Sequence, residues 1–217
     1  DHRDLHSFPT RRSSDLPEEL LSRRCLAVQP EKFFGYYRTH MIYPDAAPNG
    51  AHRALAELER RGKLTAVVTQ NIDGLHQAAG SVNVIELHGS VMRNYCVRCG
   101  RRYPLAYITE STGVPRCEAC GALVRPDVVL YGECLDGEAW SRAEEAISAA
   151  DVLIVGGTSL TVQPAASLVG LYEGDHLIII NKTPTPSKNT MLSASPIIFS
   201  SPGYSIACPL SVIGIFP

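Results

Sequence analysis

Charge of one dominant sign, long apolar runs and a disulfide-style cysteine spacing are all missing from this chain. Its 217 residues carry 20 Lys+Arg against 22 Asp+Glu, a formal net charge of −2. With no polybasic field, wholesale electrostatic capture of nucleic acid or an anionic membrane surface is excluded, and any such binding has to be local. No apolar run reaches the roughly 18–20 residues that cross a bilayer, and the opening DHRDLHSFPTRR lacks the apolar stretch of a secretory signal. A cytoplasmic location is the resulting expectation. Of the 7 cysteines, four fall in two CxxC pairs while Cys25, Cys134 and Cys208 are scattered, so reduced thiols are expected. A hydrophobic content of 45% over this length suits one large domain, or one domain with a small insert.

The chain divides by pattern. Residues 1–16 mix charge, Ser and Pro with neither a 3.6 nor a 2.0 period and read as a disordered or non-native leader. After Pro17 and Pro30, PEELLSRR and PEKFFGYYRTH place Pro in a first turn with acids behind it, predicting two short helices. AHRALAELERRG, residues 51–62, is apolar at helical spacing and ends in Gly. Four β-branched apolar runs predict buried strands: Leu64–Thr69, Val84–Leu87, Asp151–Val155 and His176–Ile180. Helices are expected near Asp136–Ala149 and from Pro164. This alternation predicts an α/β fold with a doubly wound parallel sheet. Each strand ends in a polar or Gly-rich cluster: QNIDGLH, HGS, GGTS and Asn181. Ligands of such sheets lie beyond the carboxyl ends of the strands, so the four clusters should converge on one crevice. Past Pro186, residues 189–217 hold no charge and are broken by prolines, which predicts neither a good helix nor a membrane span.

Cys96-x2-Cys99 and Cys117-x2-Cys120 have the spacing of a zinc ribbon. Four thiolates leave no open coordination position, so the zinc is expected to be structural. The interval holds arginines at 93, 98, 101, 102, 116 and 125 against Glu110 and Glu118. A solvated basic face offsetting the thiolates is favoured over a nucleic-acid surface, because stacking aromatics are limited to Tyr95, Tyr103 and Tyr107.

In order along the chain, TQNIDGLH (69–76), LHGS (87–90), the paired CxxC ribbon, RPDVVLYGE (125–133), GTSL (157–160) and Asn181 before Pro184-Thr185-Pro186 closely resemble the bacterial sirtuins, NAD-dependent protein deacylases. The resemblance runs from about residue 17 to residue 186 and implies a Rossmann-type NAD-binding domain from 17–92 and 126–186. It also implies a small zinc-ribbon domain at 93–125, with residues 187–217 as an unmatched tail. It further implies acetyl transfer from a protein lysine to ADP-ribose with release of nicotinamide. His88 matches the general base, with Asn71 as its catalytic companion. Gln70, Asn71, Asp73, Gly157, Thr158, Ser159 and Asn181 match NAD contacts, and Val129, Tyr131 and Gly132 match the strand along which the substrate backbone lies. Expected partners are acetylated-lysine proteins, with no membrane and no nucleic acid.

Two departures set further expectations. The family's Gly-Ala-Gly-x-Ser strand and loop and its Pro-Asp-Phe-Arg-like stretch find no match, so the pyrophosphate side of the NAD site is expected to be incomplete. Tyr37 is followed three positions later by His40, not by the Arg of the Tyr-x-x-Arg pair that reads acyl carboxylates. A neutral acyl group such as acetyl is therefore expected. The alternatives are a catalytically dead sirtuin fragment or zinc-ribbon binding module and, more remotely, protein ADP-ribosyl transfer.

Overall fold

A computed structural model of the chain describes residues 16–158, 164–181, 197–200 and 212–216. Three helices come first: α1 (Pro17–Leu20), α2 (Arg23–Val28) and α3 (Pro30–His40). Ser22 caps α2 by accepting the Cys25 N–H, and proline opens α1 and α3. Helix α4 (Gly50–Arg60) starts at Asn49, whose Oδ1 accepts the N–H groups of Ala51 and His52. Leu55 of α4 is buried with Leu64 and Val67, which docks the helix on the first strand.

The strands β1 (Ala66–Thr69), β2 (Val84–Glu86), β6 (Val152–Gly156), β7 (His176–Asn181), β8 (Ile197–Ser200) and β9 (Val212–Phe216) form one sheet in the order β2-β1-β9-β6-β7-β8. β1, β2, β6 and β7 are the four predicted strands, and they meet in two parallel pairs, β1 with β2 and β6 with β7. Every residue of β1 is buried, as a strand covered on both faces requires. Short helix α5 (Leu75–Ala78) follows β1, and α7 (Gly137–Ser148), capped by Asp136, precedes β6. The helix expected from Pro164 is a 3-10 turn, Ala165–Leu171. One core joins sheet residues such as Val68, Ile85, Leu153, Val155 and Leu177 to Ile147 of α7 and Leu168 of that turn.

The sheet departs from a purely parallel one in its middle. The uncharged tail supplies β9, which pairs antiparallel with both β1 and β6. Ile213 and Ile215 of β9 are buried in the main core. A short continuous apolar run fits a fully covered central strand, which is why this tail segment packs although it has no amphipathic period.

A second sheet, β4-β3-β5, contains β3 (Gly89–Cys96), β4 (Arg102–Pro104) and β5 (Val124–Val128), with α6 (Leu105–Glu110) beside it. It runs from Gly89 to Val128, wider than the expected 93–125. Its core differs more from expectation, because Leu26, Phe33, Phe34 and Tyr37 of α2 and α3 pack against Val91, Tyr103, Ile108 and Val124. Helices α2 and α3 thus share a core with the ribbon. Arg38 secures the join by donating to Ile108 O, Ser111 Oγ and Gly113 O.

Candidate active site and metal centre

Four strand ends carry the candidate groups. At the end of β1, Thr69 Oγ1 accepts the Asn71 N–H at 3.1 Å, and Asp73 Oδ1 accepts the Leu75 N–H at 2.9 Å. Gly74, at φ 72, makes the left-handed step that turns this loop into α5. The loop is tied to β3 because the Val91 N–H donates to Ile72 O at 2.9 Å. Gln70, Asn71 and Asp73 are all half-buried, with donors and acceptors at the crevice edge.

His88 lies in the turn between β2 and β3. Its Nδ1 lies 3.0 Å from Gln70 O, and its own carbonyl accepts the Val129 N–H at 3.0 Å. A carbonyl can only accept, so Nδ1 carries the proton and Nε2 the lone pair. This is the tautomer a base needs. The neighbouring Gly89 has φ 75, and a Cβ there would sit 2.0 Å from Asp127 O. Only glycine lets β3 and β5 close up at this point.

On the other side of β9, the Gly157 N–H donates to Ile180 O at 2.9 Å and Asn181 Nδ2 donates to Thr158 O at 3.0 Å. The structure thus gathers Gly157, Thr158 and Asn181 at the ends of β6 and β7, and Gln70, Asn71, Asp73 and His88 at those of β1 and β2. Ser159 lies outside the described residues. The two groups are separated by the width of β9, about 10 Å at two strand spacings. The residues fit NAD in their chemistry, with amides and a carboxylate at the ends of β1 and β2 and an amide and a hydroxyl at those of β6 and β7 as donors and acceptors for hydroxyl groups. β9 starts at the crevice, where Val212 is paired with Thr69 and Gly156. Its carboxyl end, Phe216 beside Val152, lies at the opposite edge.

The candidate substrate segment lies just past β5. Val129 is half-buried, while Tyr131 and Gly132 are exposed. The Tyr131 main chain is already paired: its N–H donates to Leu21 O at 3.1 Å and its carbonyl accepts the Arg23 N–H at 3.0 Å. Backbone addition of a substrate at Tyr131 is therefore closed off, and its ring, 55% exposed, is what it offers. Sequence reasoning missed the clamp behind this segment. Arg125 forms two bonds to the Glu133 carboxylate, at 2.5 and 2.9 Å, and Glu133 Oε2 also accepts the Leu130 N–H at 3.0 Å. Although burial opposes its charge, Glu133 is held below the usual carboxylate range by these bonds. Nothing in an eight-residue separation signals this pair.

Two buried histidines lie outside the candidate set, His76 because the sequence suits a structural role for it equally well. His52 of α4 and His76 of α5 have ring centroids 4.6 Å apart, and neither ring nitrogen of His76 has a hydrogen-bond partner. Burial, reinforced by His52 and opposed by Asp73, lowers the His76 pKa to about 4.

In the ribbon, the sulfurs of Cys96, Cys99, Cys117 and Cys120 all lie within 4.8 Å of one another. Cys96 and Cys120 are 3.4 Å apart, and Cys99 and Cys117 are 3.5 Å apart, close to the roughly 3.8 Å edge of a tetrahedron with 2.3 Å Zn–S bonds. The N–H groups of Arg98 and Cys99 point at the Cys96 sulfur. Tyr103, missed as a support, donates its hydroxyl to Cys117 Sγ at 3.2 Å and accepts the Glu118 N–H at 3.0 Å. The residues fit one structural zinc ion.

A crevice at the carboxyl ends of a Rossmann-type sheet, a histidine with a free Nε2 lone pair and a four-thiolate ribbon define a nucleotide-dependent α/β enzyme with a structural metal. Comparison with known proteins narrows the class. The Sir2 family model matches residues 5–164, starting within the segment expected to be a leader. The NAD-dependent protein deacetylase of Cutibacterium acnes is 56% identical over 174 residues, covering 79% of this chain and 71% of that protein. That of Clostridium perfringens is 57% identical over 170 residues, covering 78% and 70%. Among solved structures, a Sir2 homolog–NAD complex superposes with a TM-score of 0.75 at 41% identity, covering 84% of this chain and 71% of the other. Sir2 bound to an acetylated peptide gives 0.73 at 40% identity, covering 82% and 76%. The chain belongs to the Sir2 family.

Proposed function

We propose that this chain is an NAD-dependent protein-lysine deacetylase that moves the acetyl group from lysine to ADP-ribose and releases nicotinamide. The observation that carries the reading is His88, whose Nδ1–H bonds to Gln70 O and so leaves Nε2 as the proton acceptor. When bound, NAD supplies an electrophilic ribose carbon and a nicotinamide leaving group. His88 Nε2 takes the proton of a ribose hydroxyl, a step for which an imidazole nitrogen lone pair is suited. Asn71 and Gln70 orient the ribose through their amides, and Asp73 holds the loop that carries them. Gly157, Thr158, Ser159 and Asn181 take the adenosine half. Val129 and the Tyr131 ring flank the acyl-lysine, while the substrate main chain pairs at Gly132.

Acetylated-lysine proteins are the partners, and the acyl group is neutral. Tyr37 is fully buried and stacked on Phe33, and Arg38 is spent on the ribbon, so α3 offers no pair to read an acyl carboxylate. With a matched peptide pair, acetyl removal should be faster than succinyl removal; the reverse order sinks this selectivity. No helix among the described residues is long and apolar enough to cross a membrane. A cytoplasmic location rests on the four reduced, zinc-fitting cysteines. The test of function is mass spectrometry of the zinc-loaded chain with acetyl-lysine peptide and NAD. Nicotinamide and O-acetyl-ADP-ribose support the reading, whereas ADP-ribose on the peptide would replace it by transfer to protein.

A further inference from the structure

A cavity of about 860 Å³ opens between the ribbon sheet, β2 and α7, and Val129 and Gly132 of the candidate substrate segment form part of its wall. Its lining is dominated by charge: Arg23, Arg93, Arg102, Arg125 and Arg142 against Glu86, Asp127, Glu133 and Asp136. The four carboxylates are all engaged. Glu86 and Asp127 grip Arg93 at 2.6 and 2.9 Å, Glu133 is locked on Arg125, and Asp136 Oδ1 caps α7 through the Ala139 N–H. The arginines are not matched in the same way. Arg102 reaches Asp127 only at 3.8 Å with its side chain 72% exposed, and Arg142 meets the neutral amide of Asn83 at 3.1 Å. The guanidiniums of Arg102 and Arg125 both lie over the Tyr95 ring, at 5.6 and 5.8 Å from its centroid, a contact that favours an ordered Arg102.

We propose that this cavity is a subsite for an acidic side chain, Asp or Glu, flanking the acyl-lysine of the substrate, with Arg102 and Arg142 as its specificity-determining residues. A planar guanidinium matches a carboxylate in two-point geometry. The lining holds five guanidiniums against four carboxylates, and this excess of positive charge favours an incoming anion. The proposal rests on the deacetylase reading only in taking an acyl-lysine peptide as the occupant of the Val129–Gly132 edge.

The test is fluorescence anisotropy of labelled acetyl-lysine peptides on the zinc-loaded chain without NAD, comparing Glu, Gln and Lys at the flanking positions. The Glu peptide should bind about fivefold more tightly than the Gln peptide, as a well-formed solvent-accessible ion pair allows, and the preference should fade with added salt. Arg102→Glu and Arg142→Glu, each with zinc content and circular dichroism unchanged, should invert the order so that the Lys peptide binds best. That charge-swap rescue is a result general loss of structure does not give. Equal binding of all three peptides overturns the subsite and leaves the deacetylase reading standing. Failure of every acetyl-lysine peptide to bind overturns both.

Discussion

Replacing His76 by Phe should flatten the acid limb of the stability curve. His76 is 1% exposed, packed on His52, and has no hydrogen-bond partner on either ring nitrogen. Its pKa falls from 6.5 to about 4, chiefly through burial. The pKa of His52 is also lowered, first by burial and then by Arg53, with Asp73 opposing. The sign follows from proton uptake. A folded pKa below the unfolded one means the unfolded chain binds the proton more readily, so stability is full above about pH 6.5 and is lost as pH falls towards 4. With the pKa at about 4 folded against 6.5 unfolded, and about 1.36 kcal/mol for each pH unit between them, the loss by pH 4.5 is about 2.5 kcal/mol. Urea unfolding at about pH 7 and pH 4.5 measures it, with the variant subtracting zinc release and carboxylate titration, which both proteins share. The native protein should lose about 2.5 kcal/mol more than His76→Phe between the two conditions. If Phe is not accommodated, His76→Asn serves the same subtraction. Parallel losses within about 0.5 kcal/mol would refute the reasoning.

Two further perturbations probe the ribbon and the turn. Tyr103→Phe removes the hydroxyl that bridges Cys117 Sγ and the Glu118 N–H, so zinc should pass to a colorimetric chelator roughly tenfold faster, while Tyr107→Phe serves as a nearby control. Gly89→Ala puts a Cβ 2.0 Å from Asp127 O at φ 75, which should cost more than about 2 kcal/mol and lower the melting temperature by about 5 °C or more. Unchanged zinc release would refute the Tyr103 bridge, and unchanged melting the tight approach at Gly89.

What the sequence revealed and what it hid divide along local and non-local lines. The ribbon was readable because ligand spacing is a local property, and the four thiolates meet as CxxC pairs require. The four strands were readable because a covered parallel strand is a continuous apolar run ending at polar residues, and Gln70, His88, Thr158 and Asn181 mark those ends. The destination of α3 was not readable: Phe33, Phe34 and Tyr37 declare a buried face but not whether a sheet or a ribbon buries it. Nor was the place of β9, since a short apolar segment in a proline-broken tail says nothing of its partners or its direction. The Tyr131 main chain shows the same limit, because only the fold brings Leu21 and Arg23 against it. Arg125 and Glu133 sat in a recognised motif, yet their pairing depends on the turn between them.

The most direct test compares the zinc-loaded native chain with His88→Ala in the same NAD and acetyl-lysine peptide mixture, read by mass spectrometry. O-acetyl-ADP-ribose should form with the native chain and fall about 10²–10⁴-fold in the variant, while both bind the peptide equally. Equal product from the two would contradict the role of His88 as the base, and with it the account of the crevice.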